Sequence, residues 1–248
     1  MGYQNREAEA HARAVSRSIA SNPRTDAAPK APSVRDIALI GFERLVGQHI
    51  QAAIEETFPK KSAVRVTFGE MGIEALLHDP ATLERCRKAN LTVLQIPAAS
   101  TISNRFYTVV RADPYRIIRP SSLLQTIYNG VDFSGVRTTD ELLSLLHAKG
   151  PDKFDVVRNE LRDAWIARMR SVATELRGKL VLVALPNHSL DDAAACDALG
   201  NEPLFVTRAM LAGLKSLVKD VLEMEIVSGD LLSSAVVDEL AEAINKVI

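Results

Sequence analysis

The chain is poor in cysteine: Cys86 and Cys196 are its only two in 248 residues, and they form no CxxC pair. That count and spacing argue against a disulfide framework and against a thiolate zinc site. Charge of one sign is lacking as well. Thirty Lys and Arg stand against 31 Asp and Glu, for a net charge of −1, so nothing global favours nucleic acid or an anionic membrane surface. No run approaches the roughly 20 apolar residues of a membrane span. The first residues, MGYQNREAEAHARAVSRS, are polar and lack the apolar stretch of a signal peptide. Arg6 stands where a myristoylation motif needs Ser or Thr. A cytoplasmic location is expected by elimination. Glycine-rich phosphate loops are missing too, since neither the P-loop nor the dinucleotide fingerprint occurs. His11, His49, His78, His147 and His188 are scattered without HxH or HExxH spacing. No metal and no cofactor are therefore expected.

What remains is a chain of ordinary globular composition, 47% hydrophobic and 25% charged, long enough to bury a sizeable core. Residues 1–34 carry Pro23, Pro29 and Pro32 among Ser, Asn and Ala, after a short Ala-rich charged stretch. They read as a helical or flexible extension, and 35–248 as one α/β domain. Short apolar runs predict strands over 36–41, 63–68, 91–96, 180–185 and 221–227. Helical spacing predicts helices over 43–57, 80–88, 121–129, 139–148, 152–177, 206–219 and 233–247. Asp79-Pro80 supplies an N-cap and a first-turn proline. The alternation implies a three-layer, doubly wound parallel sheet of about five strands, with inserted helices between the third and fourth. Residues 97–118 read as a long polar segment.

In such sheets ligands lie at the carboxyl ends of the strands, where strand order reverses. That rule singles out the segment after the third strand. Ser100, Ser103, Asn104, Arg105 and Tyr107, followed by Arg111, bring hydroxyls, an amide, a phenol and guanidinium groups into one loop. Arg forks match carboxylate, phosphate or sulfate oxygens in pairs, so the loop is a candidate site for a small anionic or carbohydrate-type ligand. The alternative is a solvated loop whose arginines pair with nearby acids. His188, beside Asp191 and Asp192, is a candidate general base or a plain loop histidine.

Several stretches carry a resemblance: Val93-Leu94-Gln95, Ser103-Asn104-Arg105-Phe106-Tyr107, Leu124-Gln125-Thr126-Ile127-Tyr128, the segment Leu161 to Met169, and Pro203 to Leu211. Together they resemble an SGNH/GDSL-hydrolase-like domain. They are closer still to an uncharacterised bacterial family that carries an S-N-R-F-Y segment. SGNH hydrolases place a nucleophilic Ser after the first strand, a Gly after the second, an Asn after the third and a DxxH motif before the last helix. Here the first position reads Gly41-Phe42-Glu43 and the last Asp230-Leu231-Leu232-Ser233, without the Ser or the His. Gly69 or Gly72 and Asn104 match the middle positions. Acyl transfer needs both a nucleophile and its base, so the resemblance implies a degenerate domain that binds rather than hydrolyses. A second reading is an active hydrolase or group transferase using Glu43, Asn104 and His188. A third is a protein-interaction module, possible homo-oligomer included, that works through residues 1–34 or the 152–177 helix.

Overall fold

The computed structural model describes residues 35–57, 64–69, 71–226 and 234–247. The expected extension over 1–34 and the DxxH position at 230–233 lie outside the described residues. Five strands form one sheet: β1 (Arg35–Ile40), β2 (Val64–Gly69), β3 (Leu91–Gln95), β6 (Leu180–Ala184) and β7 (Asp220–Glu223), in the order β2-β1-β3-β6-β7. Every neighbouring pair in it is parallel. The reason is visible in β1. Ile37 and Leu39 point to one face, Ala38 and Ile40 to the other, and all four are buried. A strand buried on both faces must be covered on both, which is what parallel crossovers provide.

On one face α1 (Arg44–Thr57) and α9 (Ser234–Val247) pack Val46, Ile50 and Ile54 beside Leu240 and Ile244. The other face is covered chiefly by α6 (Phe154–Glu175), whose stripe Phe154, Val157, Leu161, Trp165, Met169, Val172 is buried throughout. Leu176 extends that stripe past the helix end. α2 (Ile73–Leu77), α3 (Pro80–Lys88), α4 (Ser122–Ile127) and α5 (Thr139–Lys149) add to this larger core. Asp79 caps α3, its side chain accepting from the backbone of Ala81 and Thr82. Thr138 and Glu141 form a reciprocal capping box on α5.

The structure adds to or departs from the sequence reading in several places. Residues 97–118, read as a long polar segment, hold a 3-10 turn and an antiparallel hairpin, β4 (Tyr107–Val110) and β5 (Asp113–Pro120). The helix expected over 206–219 is only α8 (Arg208–Ala212), because the chain turns off at Gly213, where its C-cap falls. The fifth strand of the sheet begins at Asp220 and ends at Glu223, short of the expected 227. A further short helix, α7 (Ala193–Asp197), lies in the loop after β6. Among the described residues no helix is long and apolar enough to cross a membrane.

Candidate functional site

From β1 the chain runs outward to β2 on one side, and from β3 to β6 on the other, so strand order reverses between β1 and β3. At the carboxyl ends of those two strands lies a cavity of about 490 Å³. That is the size of a small-ligand site, and this crevice is where open α/β sheets bind.

Each wall has a local cause. β1 ends at Gly41, whose φ is +84°. A Cβ there would sit 3.1 Å from the Gln95 carbonyl oxygen, so glycine alone lets the chain leave the strand against β3. Phe42, fully buried, pins the turn into the smaller core. Glu43 follows as the start of α1, its carbonyl accepting from Gly47 N–H at 2.8 Å, and its residue lines the cavity. β3 contributes Leu94 and Gln95 and then Ile96, Pro97 and Ala98. Trp165 Nε1 holds that exit by donating to the Pro97 carbonyl at 2.8 Å. The loop after β6 contributes Glu202 and Pro203. Asn187 grips Glu202 twice: its N–H donates to Glu202 O at 3.0 Å, and its Oδ1 accepts from Glu202 N–H at 2.9 Å. The hairpin supplies Pro114 and Tyr115 to the wall, with Tyr115 53% exposed.

The candidates read from the sequence separate here. Glu43 lines the cavity, as does Thr101 from the loop after β3, whereas Ser100, Ser103, Asn104, Arg105, Tyr107, Arg111 and His188 do not. Asn104 is spent inside its own turn: Oδ1 accepts from the N–H groups of Phe106 (2.8 Å) and Tyr107 (3.2 Å), and Nδ2 donates to Ile102 O (2.9 Å). Tyr107 is buried, its hydroxyl donating to Ser100 O at 2.7 Å, and desolvation pushes its pKa far up. Ser103 Oγ accepts from Val109 N–H at 3.2 Å. Arg105 pairs with the buried Glu160, Nε to Oε2 at 2.6 Å. Arg111 is exposed at the hairpin turn. His188 is buried, with Nδ1 3.1 Å from Asn187 Oδ1 and Nε2 without a partner among the described residues. It backs up the residue that holds Glu202. The arginine-rich loop is thus a scaffold for the hairpin, and the hairpin forms a wall of the cavity.

Glu202 did not emerge from the sequence, because it sits at the far end of the loop after β6, whereas Tyr115 stands just past Arg111 in the polar segment that the sequence singled out. Glu202 keeps an exposed edge, yet the protein crowded around its carboxyl, with the charge of Asp140, raises its pKa above the ordinary value. A carboxyl raised on folding favours the fold only while protonated. Its stabilisation is complete below the unfolded carboxyl range, near pH 4, and is lost as pH rises through the folded value. Glu202→Gln removes that loss. Its melting temperature should exceed the parent's at pH 7–8, with the gain shrinking toward about pH 4 in a pH series of thermal melts.

Sheet and cavity together define an α/β protein with a parallel sheet and a ligand-sized cleft at the carboxyl ends of its strands. The chain belongs to the family described as a domain of unknown function (DUF6473), whose model matches residues 1–245. No curated protein matches it.

Proposed function

We propose that this protein is a small-molecule-binding domain of SGNH-like architecture, without Ser/His hydrolase machinery, and that it works in the cytoplasm. Its ligand is of carbohydrate type, rich in hydroxyls and not anionic, and is held in the cleft between β1 and β3. One observation carries this reading: among the described residues the cleft wall offers carboxylates, an amide, a hydroxyl and a phenol, from Glu43, Glu202, Gln95, Thr101 and Tyr115, and not one Lys, Arg or His. Sugar hydroxyls donate to carboxylate and amide oxygens, while a sugar's apolar face stacks on an aromatic ring. A phosphate or sulfate would instead meet two carboxylates with no compensating cation. The anionic half of the sequence expectation loses its support with Arg105 committed to Glu160.

The absence of Ser at Gly41-Phe42-Glu43 supports binding without acyl transfer. The hydrolase alternative keeps Glu43 but neither Asn104 nor His188 at the cleft. The interaction-module alternative loses the apolar face of α6, which is buried in the core.

A thermal-shift screen against neutral sugars, polyols, sugar phosphates, nucleotides and acyl-coenzyme A tests this. A ligand at 100 times its Kd stabilises the fold by about 2.7 kcal/mol, an easily read shift. The expected result is a shift with uncharged sugars that disappears in Tyr115→Ala. Shifts confined to phosphorylated compounds, or none with any compound, would overturn the reading.

A further inference from the structure

The acidic residues that are buried among the described residues are matched: Glu74 meets Arg168 and Glu160 meets Arg105. The cleft is different in kind. Glu43 and Glu202, both exposed, line it, no Lys, Arg or His does among the described residues, and neither carboxylate has an ion pair there. The aromatic ring of Tyr115 and the carboxylate residue Glu202 line the same cleft. That combination is suited to an ammonium group, which donates a charge-assisted hydrogen bond to the carboxylate and makes a cation–π contact with the ring. A calcium ion would ask for six to eight oxygens. No group of three His, Cys, Asp or Glu able to hold a metal occurs among the described residues.

We infer that the ligand of this cleft carries a protonated amine beside its hydroxyls, as an amino sugar or amino polyol does, and that Glu43 and Glu202 supply its counter-charge. This rests on the carbohydrate reading above and narrows it. Acetylating the amine removes its charge and adds bulk, so the N-acetyl sugar loses the feature that the two carboxylates recognise.

The test is calorimetric titration of the full chain, at one pH near 7 and one ionic strength. The titrants are glucosamine, galactosamine and mannosamine, their N-acetyl forms, the parent hexoses, and putrescine as an amine without hydroxyls. At least one hexosamine should bind about tenfold tighter than its N-acetyl form, a ratio typical of one charge-assisted contact. In Glu43→Gln and Glu202→Gln, each checked by its melting curve, that ratio should fall toward one. Equal affinity for amine, N-acetyl and parent sugar would overturn the inference and leave the carbohydrate reading standing. Binding of putrescine with no sugar would overturn the carbohydrate reading and this inference with it, as would no binding by any compound.

Discussion

Trp165→Ala should lower the stability of the fold by about 3–5 kcal/mol, the range for deleting a fully buried aromatic side chain. In a domain of this size that corresponds to a fall of roughly 10 °C in melting temperature. Trp165 is fully buried at the centre of the α6 stripe. Two losses add. The large core loses its bulkiest side chain and keeps a cavity that its neighbours close only in part. The Pro97 carbonyl also loses the indole N–H that donates to it at 2.8 Å. Trp165→Phe separates them: it keeps most of the volume and drops only the hydrogen bond, for about 1–2 kcal/mol. Far-UV circular dichroism during thermal melts reads both variants. Because Trp165 is the only tryptophan, its fluorescence follows the parent directly. Pro97 lines the cleft, so Trp165→Phe should weaken ligand binding more than its modest stability loss suggests. Unchanged affinity in that variant would show that the β3 exit is held by other contacts.

β1, β3 and β6 were legible because each is a short, largely apolar run buried on both faces. In β6, Leu180, Leu182 and Ala184 join one core while Val181 and Val183 join the other, and a two-sided strand needs no partner to be recognised. The stripe of α6 was legible for the matching reason, a 3.6-residue period sustained over five turns. The hairpin was not. β5 carries Asp113, Pro114, Arg116 and Arg119 among few buried residues, and among the described residues it pairs with β4 and makes one isolated bridge, Arg116 to Thr138. Its strand character comes from packing rather than pattern. The helix over 206–219 failed in the opposite sense. Met210, Leu211, Leu214 and Val218 are buried at helical spacing, but after Gly213 the same spacing is met by successive turns.

The carboxyl-end rule led to the end of the sheet where the cavity lies and to Glu43, which lines it, whereas most of the chemistry-rich segment after β3 bonds within the protein. A segment dense in Ser, Asn, Arg and Tyr has as many ways to bond to itself as to a ligand. Here it spends them on holding a hairpin. Glu202 stands 159 positions after Glu43 in the sequence, and only the fold brings the two to one cavity.

Glu160→Ala should cost about 2–4 kcal/mol, and it decides what that loop is for. Glu160 is 6% exposed on α6. It accepts from the backbone N–H of Arg105 at 2.9 Å and from Arg105 Nε at 2.6 Å. Glu74 does the same work two residues earlier, accepting from Ser103 N–H at 3.2 Å while Arg168 Nε balances its charge at 3.0 Å. Two buried carboxylates thus clamp the chain at 103 and 105, just before it enters β4. Removing Glu160 leaves a peptide N–H in a half-buried setting without its acceptor, and an unmet buried donor costs more than the bond was worth. Glu160→Gln keeps an amide oxygen for that N–H and should lose distinctly less. Arg105→Ala should lose less than Glu160→Ala too, because the guanidinium is mostly exposed and Glu160 keeps the backbone donor. Denaturant titration of the three variants gives the order. If the loop itself held the ligand, Arg105→Ala would abolish binding while leaving the fold nearly intact. The expected result is the reverse: Arg105→Ala, off the cleft wall, retains ligand affinity. Glu160→Ala, which frees the root of the hairpin carrying Tyr115, loses stability and affinity together.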